Sequence, residues 1–326
     1  MQTLRFIIQP RAAFGTPLVG DTLFGQLCWA LRHRFGNGWL AERLQGYGEG
    51  RPFMVLADAF PHGTLPLPTV PSGCFQDSAE DRKVLKKKRW LPLTALATEF
   101  PTWLVQARTD QEAADAVLRS AGIRLDDPAL QKVAPQPHNT INRTTGTTGD
   151  GMFAPYTMPQ IWFHPAMRFD LYAVIDETRI TAEELTAALT DIGRSGYGRD
   201  ASIGLGKFAI DCAAQPAALP PADKANAWLT LAPCAPQGQG FARERSFYRP
   251  LTRFGRHGDT AALSGNPFKR PVLLAGTGAV FALANGGLDN QRLFLGQGLT
   301  GVSTDHPAAV SQGYAPVLAI RLEVTA

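Results

Sequence analysis

Alternating hydrophobic residues open the chain and predict a β-strand. Leu4, Phe6 and Ile8 are separated by single residues, which is the period of a strand with one buried face. Helical spacing follows, with Asp21 in the position of an N-cap, Gly36 at the end, and apolar residues at positions 23, 24, 27, 30, 31 and 35. Another apolar run over residues 53–59 predicts a second strand. The chain therefore begins with a strand–helix–strand unit.

The second half repeats this order of elements. Phe169, Leu171, Ala173 and Ile175 alternate along a predicted strand. The segment 181–184, Thr-Ala-Glu-Glu, fits a capping box, and apolar residues at 185, 188, 189 and 192 then predict a helix that ends at 193. A short strand is predicted over residues 207–210.

These patterns predict an α+β fold. A length of 326 residues suits two domains. We predict two ferredoxin-like domains, RRM-like and of the split βαβ kind, over residues 1–160 and 161–326. Further strands are predicted at 272–274, 279–283 and 316–324. Three stretches rich in Pro, Gly and charge, at 60–92, 126–160 and 211–270, are expected to form inserted hairpins, arms or loops.

Positive charge is concentrated in two segments, although the net charge is only +4. Residues 82–89 hold six cations, and residues 243–256 hold five arginines among aromatic residues. Such clusters indicate an anionic polymer as partner, or alternatively a solvated face. The four cysteines form no Cys-x-x-Cys pair, which disfavours a zinc site or a disulfide framework. No apolar run of about 18 residues occurs, so we expect a cytoplasmic protein without a membrane span.

A glycine-rich segment over residues 193–207 is the most distinctive motif. Its five glycines, two arginines and one lysine suit a loop whose backbone amides and guanidinium groups bind phosphates. The alternative is a bulged hairpin in which the glycines only relieve strain. Ala201 and Phe208 exclude a Walker loop, and the dinucleotide spacing is also missing. No cofactor is therefore predicted.

Four ordered motifs resemble those of the RAMP proteins of CRISPR systems, most of all subunit four of the type III-A Csm effector complex. The motifs span residues 20–30, 86–91, 139–146 with Met152-Phe153, and 196–208. The resemblance implies a ferredoxin-like core with a projecting hairpin or thumb. It also implies that the chain binds the repeat-derived 5′ handle of crRNA and contacts the large cyclase, or polymerase-like, subunit and a backbone RAMP subunit.

The resemblance and the side-chain chemistry together predict the RNA-binding residues. The start of the family's first helix corresponds to Gly20, where free N–H groups would offer an anion site. The family's basic region, arginine position and glycine loop correspond to Lys86, Lys87, Lys88, Arg89, Arg143, Gly196, Gly198, Arg199, Gly204, Gly206 and Lys207. From their chemistry we add His138, Asn139, Arg194, Tyr197, Arg253 and Arg256, with Tyr197 expected to stack on an unpaired base. Asp21 is interpreted as an N-cap, and residues 138–148 remain open to interpretation as an Asn/Thr-rich turn that satisfies its own backbone.

Catalysis is not expected from this sequence. The six histidines are scattered, and no two of them are placed together as a general acid and base would be. We therefore predict a non-catalytic subunit. Two alternatives stay open: a RAMP-type endoribonuclease that processes crRNA, and a module that binds only proteins and has a structural glycine loop.

Overall fold

The computed structural model describes residues 1–217, 219, 221–263, 265–283, 288 and 291–323. The α-helices of these residues are α1 (Gly20–Phe35), α2 (Asn37–Arg43), α3 (Arg82–Leu85), α4 (Trp103–Gln106), α5 (Asp110–Ser120) and α6 (Ala182–Ser195). The strands are β1 (Gln2–Pro10), β2 (Met54–Pro61), β3 (Thr64–Pro66), β4 (Trp90–Pro92), β5 (Lys132–His138), β6 (Tyr156–Trp162), β7 (Phe169–Ile175), β8 (Phe208–Pro216), β9 (Ala227–Thr230), β10 (Pro250–Arg253), β11 (Val272–Ala275), β12 (Val280–Phe281), β13 (Phe294–Gly296) and β14 (Tyr314–Ile320).

The first sheet is antiparallel, with the strand order β2-β7-β1-β8. Its elements follow the order β1-α1-β2 and β7-α6-β8, which is a single ferredoxin-like unit once the segment between β2 and β7 is set aside. Both helices pack on one face of this sheet, where the side chains of Phe6, Phe24 and Leu189 are fully buried. The two predicted strand–helix–strand units therefore combine into one sheet, which takes strands from both sides of the predicted boundary at 160 and 161.

The helix ends show which local signals were sufficient. The capping box of α6 is confirmed, since Thr181 and Glu184 each accept a hydrogen bond from the backbone of the other. The predicted end at Gly193 is wrong, because α6 continues to Ser195 and Gly196 is its C-cap. A Cβ on Gly193 would lie 2.3 Å from the carbonyl oxygen of Phe208, so this glycine permits close packing of helix on strand.

A second antiparallel sheet, with the order β12-β9-β14-β13, covers the other face of the first. The side chains of Ala57 and Tyr172 from the first sheet pack with Leu229 and Leu318 from the second. No α-helix lies between residues 196 and 323 within the described part of the chain. The expected second ferredoxin-like domain is thus not confirmed, and the C-terminal half supplies a helix-free sheet.

Long insertions between β2 and β7, and within the second sheet, carry the remaining elements. The predicted hairpin within 126–160 is confirmed as β5 and β6, which pair along their full length from Lys132 with Trp162 to His138 with Tyr156. We call this hairpin and its tip, residues 132–162, the arm. A two-stranded ribbon, β10 with β11, emerges from the second half. No helix of the described residues is long and apolar enough to cross a membrane.

Candidate nucleic-acid interface

The segment between β1 and α1 connects the glycine-rich loop with the groove described below. Here Arg11 donates its backbone N–H to the carbonyl oxygen of Lys207 at 2.7 Å, and Gly206 donates to that of Ala13 at 2.7 Å. Three residues later, Thr16 Oγ1 accepts the backbone N–H of Arg199 at 3.0 Å. Residues 11–19 therefore run alongside the loop from its end back to its centre.

The same segment holds the base of the arm. Phe14 and Ile161 exchange two backbone hydrogen bonds of 2.8 Å. The Phe14 ring is fully buried, edge-on to Phe163 at 5.5 Å between centroids and 6.2 Å from the ring of Tyr197. The loop and the arm are consequently fixed against one shared strip of backbone, for which the sequence pattern predicted no element.

Tyr197 is a core residue, which corrects its expected role as a stacking platform. Its side chain is fully buried, and its hydroxyl donates to the carbonyl oxygen of Pro17 at 2.9 Å and accepts from the backbone N–H of Val19 at 3.2 Å. Burial raises the pKa of the Tyr197 phenol well above its usual range. A base cannot reach this ring without unpacking the loop.

The glycines shape the loop more than they offer a phosphate cradle. Gly206 has a φ of +72°, and a Cβ there would lie 2.1 Å from the carbonyl oxygen of Tyr197. Gly196 is buried as the C-cap of α6, with its N–H bound to the carbonyl oxygen of Ile192. This close packing favours the structural alternative for both residues.

Several of the loop amides expected to bind phosphate already have partners inside the protein. The Gly198 N–H donates to Gln26 Oε1 at 3.0 Å, and the Gly204 N–H donates to the carbonyl oxygen of Ala201 at 3.0 Å. Together with the Arg199 amide bound to Thr16, these contacts correct the expectation of a backbone cradle. The amides of the predicted glycines 196, 198, 204 and 206 are thus bonded within the protein, whereas the side chains of Arg194 and Lys207 are exposed.

The loop cations differ in how free they are. Arg199 Nη2 donates to the carbonyl oxygen of Pro159 on the arm at 2.7 Å, and its Nε lies 3.3 Å from Asp200 Oδ2. Arg194 and Lys207 are exposed, and neither forms an ion pair within the described residues. Arg11 is also exposed and joins the backbone of Lys207. Arg199 therefore ties the loop to the arm, whereas the other three present free cations.

The arm exposes a mixed aromatic and polar surface. The imidazole of His138 stacks on the ring of Tyr156, with centroids 5.2 Å apart and planes at 13°. Asn139 and Arg143 are exposed at the tip. Asn142 Oδ1 accepts the backbone N–H of Thr144 at 2.9 Å, so the Asn/Thr-rich turn partly satisfies its own backbone. Large apolar side chains also lie exposed along the arm, namely Val133, Ile141, Met152, Tyr156 and Trp162.

A groove of about 690 Å³ opens beside the segment 11–19. Pro17, Leu18 and Val19 form part of its wall, and the basic run of residues 82–89 supplies another part. The remaining lining combines aromatic residues with cations, including Phe60, Phe75, Trp90, Phe163, Arg82, Lys86, Arg89 and Arg249. A groove with an apolar floor and a cationic rim suits a ligand that has both aromatic rings and phosphate groups.

The basic run divides between packed and exposed residues. Lys88 is buried, with its ammonium 3.0 Å from Glu80 Oε1 and 2.7 Å from the carbonyl oxygen of Val105, which corrects its expected role as an RNA contact. Lys86 and Lys87 are exposed. Arg89 is exposed but pairs with Asp110, which also accepts the indole N–H of Trp90 at 2.7 Å. Trp90 is thereby an anchor of the groove wall.

The amide at the start of α1 is not a free anion site, which corrects the expectation for Gly20. Its N–H donates to Asp58 Oδ1 at 2.8 Å, and a Cβ on Gly20 would lie 2.4 Å from the carbonyl oxygen of Leu56. Asp58 also accepts the hydroxyl of Thr277 from the second sheet's loop. The register of β2 shifts between Leu56 and Ala59, and this bulge directs Asp58 out of the ladder.

The Asp58 carboxyl lies in the groove wall and titrates unusually. Burial raises its pKa to about 6, and the neighbouring Asp21 carboxylate adds to the rise, although the hydrogen bonds from Thr277 and Gly20 lower it.

Asp21 is not the N-cap of α1. Val19 holds that position, and Asp21 instead binds Arg253 Nε at 2.5 Å. Arg253 is therefore held against α1, and its place on the RNA path stays a prediction.

Two histidines of the described residues lie together, because the rings of His257 and His306 are edge-on with centroids 4.8 Å apart. His62 Nδ1 lies 2.8 Å from the fully buried Asp170, His33 pairs with Asp259, and His257 Nε2 lies 2.8 Å from Ser303 Oγ. No group of three or more His, Cys, Asp or Glu residues in the described part of the chain is placed to hold a metal ion.

Solved structures of type III-A CRISPR assemblies share this fold. The chain superposes on one in the crystal structure of the Csm3–Csm4 subcomplex of the type III-A CRISPR–Cas interference complex, with a TM-score of 0.58, 14% identity, and coverage of 98% of this chain and 99% of that one. It also matches a chain of the Csm1–Csm4 cassette in complex with pppApA, with a TM-score of 0.56, 14% identity, and coverage of 99% and 100%. Csm4 is the component that these assemblies share. The resemblance to subunit four is thus confirmed at the level of the fold. No protein-family profile and no curated protein matches the sequence.

Proposed function

We propose that the chain is a non-catalytic, crRNA-binding subunit of a type III CRISPR effector complex, in which it holds the repeat-derived 5′ handle. The observation that carries this proposal is the continuous surface around residues 11–19. The glycine loop bonds to residues 11, 13 and 16 of that segment, the arm pairs with residue 14, and residues 17–19 line the groove.

The chemistry of the surface matches unpaired RNA rather than a duplex. Free cations at Arg11, Arg194 and Lys207 suit backbone phosphates, and the stacked rings of His138 and Tyr156 can continue a stack of splayed bases. A groove with aromatic lining and a cationic rim can take a base together with its phosphate. The protein would recognise the shape and bases of the handle, while the guide reads its target by base pairing.

The likeness to the two crystal assemblies supports the proposed partners. Csm4 is present with Csm3 in one assembly and with Csm1 in the other. By analogy, this chain joins a backbone subunit of the Csm3 type to a large subunit of the Csm1 type. The glycine loop then acts as a rigid support, since Arg199 fixes the arm and Tyr197 fills the core.

RNA cleavage is the alternative with one observation in its favour. The buried Asp170 carboxylate orients the half-exposed imidazole of His62, a geometry that general bases use. The histidine pair of the described residues is His257 with His306 and does not include His62. A single base without a positioned acid is a weak catalyst. We therefore place His62 in a structural role and test it directly.

The proposal is tested with a synthetic single-stranded RNA of the handle sequence and the purified full chain. Reversal of two free cations, Arg194→Glu with Lys207→Glu, is expected to weaken binding about tenfold and to lower the salt dependence by about 0.7 for each lost phosphate contact. Affinity is measured by fluorescence anisotropy over a range of salt concentrations. Arg124→Glu with Arg243→Glu is the control, because it changes the net charge equally at exposed positions outside this surface.

The outcomes separate the candidate functions. Equal affinities for the two double variants would remove the loop from the RNA site, and no RNA binding by the wild-type chain or its assembly would favour the protein-only module. Cleavage of the RNA by the wild-type chain that His62→Ala abolishes would establish the nuclease instead.

A further inference from the structure

The ribbon formed by β10 and β11 has two faces of opposite character. On the inner face, Arg253 binds Asp21 of α1, Lys269 Nζ lies 2.9 Å from Ser311 Oγ, and Leu274 is buried. On the outer face, exposed residues alternate with these inner ones, namely Thr252, Phe254, Arg256, Phe268 and Leu273. We call these five residues the ribbon face. Because the inner contacts anchor the ribbon, its outer face has a fixed orientation.

The ribbon face is unusually apolar for an exposed surface. The side chains of Phe254, Phe268 and Leu273 are 75%, 63% and 59% exposed. Pairing of Thr252 with Leu273, and of Arg256 with Phe268, places them on the same side of the ribbon. Contiguous exposed apolar side chains on an ordered strand pair mark a surface that another molecule covers.

The charge around these apolar residues has a single sign. Residues 247–275 contain five basic residues and only one acidic residue, Asp259, which pairs with His33. With Arg253 and Lys269 directed inward, Arg249, Arg256 and Arg270 remain exposed. None of these three has a carboxylate partner within the described residues. A second copy of this face would bring arginines against arginines, which disfavours a symmetric homodimer.

From these contacts we propose that the ribbon face docks a partner protein whose apolar surface is rimmed by Asp and Glu side chains. Aromatic and arginine side chains with no exposed lysine are the composition of a protein interface centre. RNA is the poorer fit, because the Arg256 guanidinium lies 5.9 Å from the centroid of Phe268, over the ring that a base would need. The aliphatic Leu273 also offers no stacking surface.

The identity of the partner rests on the proposed function, whereas the surface itself does not. If the chain belongs to a type III effector, the partner is its large subunit or its backbone subunit. This assignment removes Arg256 from the predicted RNA path and places it in the rim of a protein interface.

A photo-crosslinker at the ribbon face identifies its occupant. The full chain, with p-benzoylphenylalanine in place of Phe254, is co-expressed with both partner subunits, irradiated, and analysed by mass spectrometry. We expect one crosslinked peptide from a single partner subunit, with Asp or Glu flanking apolar residues. The same probe in place of Met152, which is exposed on the arm, is expected to miss that peptide.

A pair of matched variants measures the contribution of the surface. Phe254→Ser with Arg256→Glu is expected to reduce co-purification of that subunit at least about tenfold and to leave handle-RNA affinity within about twofold. Leu125→Ser with Arg124→Glu makes the same kind of chemical change at exposed positions elsewhere and is expected to leave co-purification unchanged.

Crosslinking to RNA or to another copy of this chain would overturn the proposal, as would unchanged co-purification of both subunits by the ribbon variant. If the wild-type assembly lacks RNA while the crosslink to a partner protein persists, the proposed RNA function fails and the docking surface stands. If the assembly retains RNA but no protein crosslink forms, the docking surface fails and the RNA function stands.

Discussion

The glycine-rich loop and the arm are both predicted from sequence to contact RNA, yet they use their residues in opposite ways. In the loop, Tyr197 and Gly206 are buried, and Arg199 is bonded to the arm. In the arm, the stacked pair of His138 and Tyr156 and the tip residue Arg143 face outward. A distinctive motif therefore identifies the place where the chain is most constrained, and the element that this constraint supports exposes aromatic and polar side chains that we propose as RNA contacts.

The largest test of this difference uses two glycines with the same backbone conformation. Gly206 in the loop and Gly146 in the arm both have a φ of +72°, but a Cβ would lie 2.1 Å from the Tyr197 carbonyl oxygen in the loop and meet nothing within 4 Å in the arm. Gly146→Ala is expected to cost about 1 kcal/mol of unfolding free energy from strain alone. Gly206→Ala adds the clash, for a loss of about 3 kcal/mol or more.

Chemical denaturation of both variants, with the soluble yield as a second measurement, tests the contrast. Equal losses would mean that the loop accommodates a methyl group as easily as the arm does, and the view of the loop as a packed support would fail.

The elements that local signals predict well are those whose cause lies within a few residues. The Thr181 capping box and the strand Phe169–Ile175 were predictable because cap and alternation are local. The groove was not, since its walls come from residues far apart, such as Val19, Trp90 and Thr277. The capping role predicted for Asp21 is taken by Asp58 for the same reason, because the acceptor for the first amide of α1 comes from a bulge in β2.

Pairing across the halves explains the domain arrangement in the same way. Each strand–helix–strand unit was visible in the sequence, but nothing local states whether two such units build two sheets or share one. The answer lies in the pairing of β1 with both β7 and β8, which is a contact over more than 150 residues. The single arginines Arg199 and Arg253 likewise became structural only through partners distant in the sequence.

A smaller effect is expected from the packed carboxyl group at Asp58. Its folded pKa is about 6, above the ordinary aspartate value of 3.8, so the folded state holds a proton that the unfolded state has lost between these values. This group therefore stabilises the fold at acidic pH and loses that contribution as the pH rises toward 6, by about 1–2 kcal/mol after allowance for partial exposure. An asparagine at this position can accept the Gly20 N–H through its amide oxygen and donate its amide N–H to the Thr277 hydroxyl.

Asp58→Asn is accordingly expected to reduce the fall in unfolding free energy between about pH 4 and pH 7, the range that spans the unfolded pKa of 3.8 and the folded pKa of about 6. Urea denaturation at several pH values, with Asp126→Asn as an exposed control for the change in charge, gives the difference curve. If unfolding free energy falls with pH as steeply in Asp58→Asn as in the wild type, this carboxyl group does not cause the pH dependence. Its side chain would then be less tightly packed than its contacts indicate.

The smallest contrast compares two tyrosine hydroxyls. Tyr197→Phe removes the group that bridges Pro17 and Val19, so two backbone groups lose a partner and unfolding free energy is expected to fall by about 1 kcal/mol. Tyr156→Phe keeps the stacked ring on the arm, and because its hydroxyl binds nothing within the described residues, stability is expected to stay within about 0.5 kcal/mol.

In RNA binding, the arm tyrosine is expected to matter more than the loop tyrosine. Tyr156→Ala removes the arm's stacking ring and is expected to weaken handle binding by about 1 kcal/mol or more, whereas Tyr197→Phe leaves it unchanged. If Tyr197→Phe weakens RNA binding without lowering stability, the Tyr197 hydroxyl contacts RNA directly, because a purely structural role would change stability as well.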